Sequence, residues 1–269
     1  NIPFIGITGT NGKTTTKELI QSVLKQKHAV FATAGNLNNH IGVPLSLLSI
    51  KPEHDIAIIE MGANHQKEIE FLCALSQPNF GVITNIGKAH LEGFGGIEGV
   101  KKGKKELYDY ISKSGGEIFL NNSDKVLKSI SEGLHSFKYG ENSQIDADLI
   151  EGENQLTFNL KVHHEERIVR TDLVGGYNLT NVLCAACIGY EFGLIFNEIV
   201  KGLEDYQSDN NRSELKKTAR NTLILDAYNA NPSSVQAALL NFSKQNGDKI
   251  AILGDMFELG ETSEKEHQA

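Results

Sequence analysis

Residues 6–18, which read GITGTNGKTTTKE, combine glycine, lysine and threonine in an order that could bind phosphate. Gly9 and Gly12 allow backbone conformations in which several N–H groups face one point. Lys13 would supply a mobile cation for phosphate groups, and the hydroxyl of Thr14 is placed to ligate Mg²⁺. A helix that begins near Thr14 would add the positive end of its dipole. The segment therefore predicts a nucleotide-binding phosphate loop.

The spelling of this loop departs from the common Walker pattern G-x-x-x-x-G-K-[ST]. That pattern requires a glycine five residues before Gly12, and the chain has Ile7 there. The sequence favours a variant loop that bends at Gly9 instead. The alternative is an ordinary strand-to-helix turn that contains glycine and lysine but binds no ligand.

Polar residues follow two further apolar segments, at the points where strands are expected to end. Glu60 ends the segment IAIIE, and Asn85, His90 and Glu92 follow the segment FGVIT. Ligands of open α/β sheets bind at the carboxyl ends of the strands, where a carboxylate commonly holds Mg²⁺ against phosphates. We therefore expect Glu60 and His90 to belong to the site, although a lone histidine is more often a structural or surface residue.

Four lysines, Lys101, Lys102, Lys104 and Lys105, lie in the helical segment that follows. A solvated basic helix face is the ordinary interpretation of such a run. A lysine that faced Glu60 and a metal ion would need another explanation. Addition of CO₂ to its amine would give a carbamate, which is an anion able to bind Mg²⁺. The lysine run alone leaves both interpretations open.

The elements that must position these residues alternate between strand and helix. Short apolar segments rich in β-branched residues predict strands at 2–8, 29–33, 55–62 and 80–87. Helical spacing of apolar residues occurs between several of them, at 14–28, 66–76 and 97–113. This alternation predicts an α/β fold with a mostly parallel sheet and helices on both faces.

The pattern changes from about residue 135. Short alternating segments predict a small antiparallel appendage on the main sheet, and they read HSFKYG, DADLIEG, QLTFNLKVH and RIVRTDL. Two helices are expected after them, at 177–193 and 196–206.

A polar segment, QSDNNRSE, then predicts a linker. A strand at 222–228, a helix that starts at Pro232 and a strand at 249–255 follow it. They predict the beginning of a second, Rossmann-like α/β domain that is cut short. We therefore divide the chain into two domains, residues 1–207 and 208–269.

Composition narrows the class of protein. The 269 residues are 39% hydrophobic and carry 26 basic against 34 acidic side chains, a net charge of −8. A nucleic-acid-binding protein is more often basic, so we expect no nucleic-acid partner. We find no segment long and apolar enough to span a membrane and no signal peptide, and we expect no membrane partner.

The three cysteines, Cys73, Cys184 and Cys187, lie in apolar segments. Buried free thiols in a reducing cytosol are the expected state. The spacing Cys184-x-x-Cys187 would also suit a metal or redox centre, but such a site needs a second pair or nearby histidines.

Seven motifs distributed over residues 6–267 resemble one enzyme family, the Mur ligases. They read GITGTNGKTTTKE, GNLNNHIGVPLSLL, EMGANHQKEI, NIGKAHLEGFG, NNRSE, DAYNANPSS and GDMFELGETSEKEH. The loop of that family has the form TG[TS]xGK[TS], which accounts for Ile7. The succession of NNHIGVP, EMGANH and YNANP resembles most closely the branch of the family that adds D-alanyl-D-alanine.

This resemblance implies an ATP-dependent amide-bond ligase. In the reaction of that branch, ATP phosphorylates the carboxylate of UDP-N-acetylmuramoyl-tripeptide, and the amine of D-alanyl-D-alanine attacks the resulting acyl phosphate. The implied cofactors are ATP and two Mg²⁺ ions, together with a carbamylated lysine. The implied protein is a monomer of the bacterial cytoplasm that works in peptidoglycan precursor synthesis.

The resemblance also has a bearing on the extent of the chain. Residues 1–207 resemble the central ATP-binding domain and residues 208–269 the start of the C-terminal domain, while the family's N-terminal UDP-binding domain has no counterpart here. We expect an excised fragment that is inactive by itself. The alternatives are another Mur-type or folylpolyglutamate-type ligase, and a P-loop nucleotide-binding module without ligase activity.

Individual residues acquire roles from the same resemblance. The implied catalytic residues are Lys13, Glu60, His90 and Lys104, and the implied metal ligands are Thr14, Glu60, His90 and carbamylated Lys104. Nucleotide contacts are implied for Gly9, Thr10, Asn11, Gly12, Lys13, Thr14, Thr15, Asn85, Asn178, Arg212, Asp226 and Asn229. A substrate-side loop is implied at Asn38, Asn39 and His40.

Some of these assignments have alternatives. Lys104 is chosen because it lies fourteen residues after His90, where the related ligases have their carbamylated lysine, and Lys101, Lys102 and Lys105 remain alternatives to it. Arg212 could be a surface residue and Asp226 a turn cap, and the loop at 38–42 could be held by asparagine side-chain turns. Tyr177 stands where many relatives have a histidine, so no histidine role is carried over to that position.

Overall fold

The centre of the molecule is a parallel β-sheet of six strands. The computed structural model describes residues 2–150, 152, 155–208 and 211–268. The six strands are β1 (Phe4–Thr8), β2 (Val30–Ala32), β3 (Ile56–Glu60), β4 (Phe80–Ile83), β5 (Glu117–Asn121) and β6 (Ser136–Tyr139). They lie in the order β2-β3-β1-β4-β5-β6, and every neighbouring pair is parallel. The predicted α/β fold with a mostly parallel sheet is therefore confirmed.

Apolar side chains bury both faces of this sheet. Ile5, Ile7 and Ile58 belong to a core on one face, and Ile59 and Ile83 belong to a second core on the other. Strands that are covered on both sides read as continuous apolar segments, which is why these segments were recognisable in the sequence. Because β3, β1 and β4 are adjacent and parallel, their carboxyl ends lie side by side at one edge of the sheet.

Helices cover the two faces and connect the strands. They are α1 (Lys13–Leu24), α2 (Gly42–Leu48), α3 (Glu68–Ser76), α4 (Leu91–Phe94), α5 (Ile97–Ser114), α6 (Lys125–Ile130), α7 (Leu179–Glu191) and α8 (Phe196–Glu204). α1 packs against α7 and α8 on one face, and α3 packs against α5 on the other. The three cysteines are buried and free, as expected.

The antiparallel appendage is smaller than the sequence predicted. It contains three strands, β7 (Ile145–Ile150), β8 (Thr157–Val162) and β9 (Glu165–Arg170). The segment HSFKYG was assigned to it wrongly, because β6 pairs in parallel with β5 in the main sheet. This pairing extends the main sheet by one strand, and Phe137 also packs against Phe119 of β5, with ring centroids 5.3 Å apart.

The last part of the chain, described over residues 211–268, holds two short strands, two α-helices and a 3₁₀ helix at Gly260–Thr262. β10 (Glu214–Lys217) and β11 (Thr222–Leu225) form an antiparallel ribbon, and α9 (Pro232–Ser243) and α10 (Ser263–Gln268) follow. The side chain of Asn231 caps α9 by accepting from the N–H of Ser234 at 3.0 Å. In the predicted linker, Asp209 and Asn210 lie outside the described residues.

The strand predicted at 249–255 is absent from the described structure, and that prediction was wrong. Ile250 and Ile252 are 86% and 92% exposed, so the apolar pattern of this segment is not buried. A parallel strand requires a hydrogen-bonded neighbour and cover on its faces. The described residues provide neither beside this segment, and it follows an irregular path.

Candidate functional site

A cavity of about 900 Å³ opens at the carboxyl ends of β1, β3 and β4. The last part of the chain contributes one of its walls, through residues that precede β10 and residues that follow β11. Most of the site residues predicted from the sequence line this cavity. They are Thr10, Asn11, Gly12, Lys13, Thr14, Thr15, Asn38, Asn39, His40, Glu60, Asn85, His90, Asn178, Arg212, Asp226 and Asn229. Gly9 and Lys104 lie outside this lining.

The loop between β1 and α1 requires glycine at two positions. Gly9 has a φ of 144° and Gly12 a φ of 78°. A Cβ atom on Gly9 would overlap the hydroxyl of Thr84, and one on Gly12 would lie 2.8 Å from Oδ1 of Asn181. The first turn of α1 has no side-chain cap, so its N–H groups are available to an anion.

Lys13 folds back over this loop. Its ammonium donates to the carbonyl oxygens of Gly9 at 2.9 Å and Thr10 at 3.0 Å. Burial lowers the pKa of Lys13, and the carboxylate of Glu60 opposes that shift. The cation is thus held over the glycine-rich turn, where the oxygens of a phosphate would accept its hydrogen bonds in place of the carbonyl groups.

The end of β4 supports the loop from the side. Asn85 accepts from the N–H of Asn11 and donates to its carbonyl, both at 3.0 Å, and the hydroxyl of Thr84 donates to the same carbonyl at 2.6 Å. Both polar atoms of the Asn85 side chain are therefore engaged with the loop. The geometry gives Asn85 a part in shaping the loop, beside any contact with nucleotide.

Glu60 at the end of β3 lies against the first turn of α1. Its Oε1 accepts from the hydroxyl of Thr14 at 3.2 Å and from the amide of Asn38 at 2.8 Å. Its Oε2 is buried without a hydrogen bond and lies 3.4 Å from Nζ of Lys17. A buried, incompletely satisfied carboxylate beside a hydroxyl offers the hard oxygen ligands that Mg²⁺ prefers.

Few protein ligands are present for a metal ion. Within the described ranges, no three His, Cys, Asp or Glu side chains converge as a metal-binding group. Mg²⁺ commonly takes only one or two carboxylates and completes its shell with water and phosphate oxygens. The pair Thr14 and Glu60 fits that pattern better than it fits a transition-metal site.

His90 immediately precedes α4 and lines the cavity. It has a left-handed backbone, with a φ of 51°, and its Nδ1 contacts the carboxylate of Glu258. Burial lowers the pKa of the imidazole, and the charge of Glu258 opposes the shift. The ring is therefore tied to a segment near the end of the described chain.

Lys104 is the one lysine of its run that α5 buries. It is 2% exposed, whereas Lys101, Lys102 and Lys105 are exposed or half-buried. Its amine donates to the carbonyl of Ala63 at 3.3 Å. Burial, reinforced by the charge of Lys13, holds the pKa of Lys104 well below its ordinary value. A neutral amine is the form that reacts with CO₂.

The predicted substrate-side loop lies at the mouth of the cavity. The amide of Asn38 is engaged with Glu60, and Oδ1 of Asn39 accepts from the N–H groups of Ile41 at 3.0 Å and Gly42 at 2.9 Å. Asn39 therefore holds the turn that begins α2. His40 is exposed and lines the cavity.

Side chains of the last part of the chain contact the loop between β1 and α1 and line the cavity. The amides of Asn231 and Asn11 are paired, with Nδ2 of Asn231 donating at 2.7 Å. The guanidinium of Arg212 lies 3.5 Å from the ring centroid of Tyr228. The hydroxyl of Tyr177 lies 2.8 Å from that of Ser213.

Asn178 and Asp226, two further predicted nucleotide contacts, are each hydrogen-bonded to nearby residues of the protein. Asn178 donates to the carbonyl of Val174 at 2.9 Å and accepts from Asn181 at 2.9 Å. Burial raises the pKa of Asp226, while a backbone hydrogen bond from Ser213 opposes the shift.

Sequence reasoning missed three residues of the site. Lys17 pairs with Glu60, Asn181 accepts from Thr16 at 3.1 Å beneath the loop, and Glu258 contacts His90. Lys17 could have been found, because it lies one helical turn after the loop lysine. The other two come from distant segments and carry no local signal.

Comparisons with known proteins place the chain among enzymes of one kind. The family model described as the Mur ligase middle domain matches residues 7–189, and the one described as the Mur ligase glutamate ligase domain matches residues 211–269. The chain is 36% identical over 270 residues to the UDP-N-acetylmuramoyl-tripeptide–D-alanyl-D-alanine ligase of Bacillus subtilis (strain 168). That match covers 98% of this chain and 58% of the relative.

Two solved structures have the same fold. MurF from Acinetobacter baumannii is 36% identical, with a TM-score of 0.91 over 99% of this chain and 59% of that one. MurF ligase from Thermotoga maritima in complex with ADP is 28% identical, with a TM-score of 0.91 over 100% of this chain and 63% of that one. The chain therefore spans about three fifths of the length of these relatives. In the described part of the chain, no helix has the length and hydrophobicity to cross a membrane.

Proposed function

The chain belongs to the Mur ligase family, and from this premise we propose that its parent protein is an ATP-dependent ligase that joins D-alanyl-D-alanine to UDP-N-acetylmuramoyl-tripeptide. We propose further that residues 1–207 are its central ATP-binding domain and that residues 208–269 begin its C-terminal domain. The working protein is a monomer of the bacterial cytoplasm. The 36% identity to a relative with this printed name supports the choice of substrates.

The observation that carries the proposal is the buried contact between Thr14 and Glu60. It connects the first turn of α1 to the carboxylate at the end of β3, the strand beside β1 in the sheet. A hydroxyl and a carboxylate in this relationship would suit an Mg²⁺ ion bound together with a nucleotide. A bound Mg²⁺ would screen the phosphate charges and so let an anionic carboxylate approach.

The chain's own side chains would then have separate tasks. The ammonium of Lys13 and the N–H groups of the first turn of α1 hold and stabilise phosphate oxygens. Arg212 contributes a second cation from across the cavity, and Asn38 and His40 lie where the peptide end of the substrate would enter. Formation of the acyl phosphate gives the carboxylate a leaving group, and the incoming amine displaces phosphate.

Lys104 has a distinct proposed role. Its buried amine adds CO₂, so that an N–C bond forms and one proton passes to solvent. The resulting carbamate and His90 would complete the ligands of a second Mg²⁺. Burial supports this choice among the four lysines, because a depressed pKa supplies the neutral amine and the enclosed position protects the product from solvent.

The test uses the full-length protein with Mg-ATP. We expect phosphate release and formation of the UDP-linked pentapeptide only when UDP-N-acetylmuramoyl-tripeptide and D-alanyl-D-alanine are both present. Equal turnover with a tetrahydrofolate and glutamate, or with a single amino acid as acceptor, would reassign the enzyme to another branch of the family. ATP hydrolysis without any amide product would favour a nucleotide-binding module.

A further inference from the structure

His90 contacts a residue that is 168 positions away in the chain. Its Nδ1 meets the carboxylate of Glu258, which leaves Nε2 as the ring nitrogen free to face the cavity. The two nitrogens of a histidine are not equivalent, because the partner of one fixes the tautomer and the orientation of the other. The contact thus decides which atom His90 can offer to the site.

The segment 256–259 brings Glu258 to this position and holds it there. Met256 and Leu259 are 9% and 3% exposed and belong to the same apolar cluster as α4, the helix that follows His90. Glu258 stands between these two anchors, and its carbonyl oxygen accepts from the N–H of Glu92 at 3.3 Å. The main chain at Glu258 is therefore held by packing on both sides and by a backbone hydrogen bond, and its half-exposed side chain reaches His90 from this fixed position.

Both partners of the contact have a backbone that residues other than glycine rarely adopt. His90 has a φ of 51° and Glu258 a φ of 61°. A left-handed conformation is unfavourable for an L-residue because its Cβ approaches the following carbonyl oxygen. Strain of this kind persists where the surrounding structure enforces it, and it is concentrated at functional sites. Two such residues face each other here.

The neighbouring contacts between the same two regions are of a different kind. Lys88 forms an ion pair of 2.7 Å with Glu266, and its N–H donates to the hydroxyl of Ser233 at 3.0 Å. These contacts join the last part of the chain to the loop after β4. Glu258 differs from them because its side chain ends on a residue of the proposed site.

We propose that Glu258 is a positioning residue, which orients the imidazole of His90 through Nδ1 so that Nε2 faces the cavity. The site is then complete only when residues 256–259 are docked against α4. This inference rests on the proposed function for the role of His90. It adds the residue that makes His90 competent and the segment that must be in place.

The first test is a double-mutant cycle in the full-length protein. Loss of a carboxylate that orients a metal-binding histidine typically costs 10- to 100-fold, so we expect kcat of Glu258→Ala to fall by about that factor, with KM for ATP little changed. If Glu258 acts through His90, adding Glu258→Ala to His90→Ala should lower kcat no further. Independent, multiplicative losses would overturn the proposal.

Two further variants separate positioning from docking. Glu258→Gln retains an acceptor of the same shape, and we expect its kcat to lie between those of wild type and Glu258→Ala. Glu266→Gln breaks the ion pair with Lys88 without touching His90, and we expect wild-type kcat. Equal losses in Glu258→Ala and Glu266→Gln would mean that docking alone matters, and would overturn the role of the carboxylate.

The second test does not depend on any activity. In the metal-free, nucleotide-free full-length protein labelled with ¹⁵N-histidine, the ring signals of His90 are assigned from a His90→Gln variant. At pH 8 we expect a protonated Nδ1 and an unprotonated Nε2, with reversal toward the Nε2–H tautomer in Glu258→Ala. An unchanged tautomer would overturn the proposal. A protein that makes no amide yet shows this reversal would contradict the proposed function and leave the positioning intact.

Discussion

Lys17 and Glu60 form a buried ion pair of 3.4 Å beneath the phosphate loop, with side chains 2% and 1% exposed. The other oxygen of Glu60 is bonded to Thr14 and Asn38, and the ammonium of Lys17 also donates to the carbonyl of Gly35 at 3.0 Å. The compensating charge for the buried carboxylate therefore comes from the same helix that begins at the phosphate loop. Any shift of α1 would change the surroundings of Glu60.

Replacement of Lys17 by methionine should destabilise the protein strongly. Methionine fills a similar volume, but it leaves the carboxylate of Glu60 buried without its counter-charge, which typically costs about 3–5 kcal/mol. Urea denaturation at neutral pH would measure this loss. Lys67→Met is the matched control, since Lys67 pairs with Glu70 on the surface, with both side chains mostly exposed, and we expect little change. Similar losses in the two variants would show that burial of the pair does not matter.

Replacement of Gly9 by alanine should disrupt the loop. The added Cβ would overlap the hydroxyl of Thr84, and the φ of 144° is unfavourable to any L-residue. We expect loss of nucleotide binding, measured by calorimetric titration with ATP and Mg²⁺. Gly115→Ala is the control, since Gly115 also has a positive φ, of 71°, but has no atom within 4 Å of the added Cβ. Normal binding by Gly9→Ala would contradict the described geometry.

Lys13→Ala should abolish the stabilisation of the protein by Mg-ATP. A ligand that binds only the folded state adds about 2.7 kcal/mol at one hundred times its Kd, and loss of the phosphate-binding cation removes most of that gain. The measurement is the shift in Tm on addition of Mg-ATP. Lys25→Ala, at the exposed end of α1, should keep the full shift. If Lys13→Ala kept it as well, the loop would not be the nucleotide site.

Lys104→Met should stabilise the protein while it abolishes ligation. Burial of the amine opposes folding by about 1–3 kcal/mol. Its hydrogen bond to the carbonyl of Ala63, at 3.3 Å, is long and offsets only part of that cost, and methionine removes the buried amine at similar volume. We expect a higher free energy of unfolding in urea and a kcat near background, with partial recovery in a short-chain carboxylate. Lys102→Met, on the exposed face of α5, should change neither quantity. Full activity in Lys104→Met would contradict the proposal that a carbamate forms on Lys104.

Much of the fold and part of the site could be predicted because they depend on local order along the chain. The buried strands β1, β3 and β4 are continuous apolar segments, and polar residues just after them must meet at one edge of a parallel sheet. The strand predicted at 249–255 does not form, because strand formation also depends on residues outside the segment. Its apolar pattern was strong, but a strand forms only where a neighbour and a cover exist, and those lie elsewhere in the chain.

The sequence by itself determined the conformation of the glycine-rich loop, since the order Gly-x-x-Gly-Lys-Thr carries its own backbone requirements. It also determined the position of Glu60, since the apolar segment before this residue forms a buried strand that ends there. Only the tertiary structure decided which of four adjacent lysines is buried, because that depends on how α5 packs over Phe94 and Ala63. It alone also joined Glu258 to His90. Such contacts follow from the packing of segments that are distant in the chain, and the secondary-structure propensity of each segment does not determine that packing.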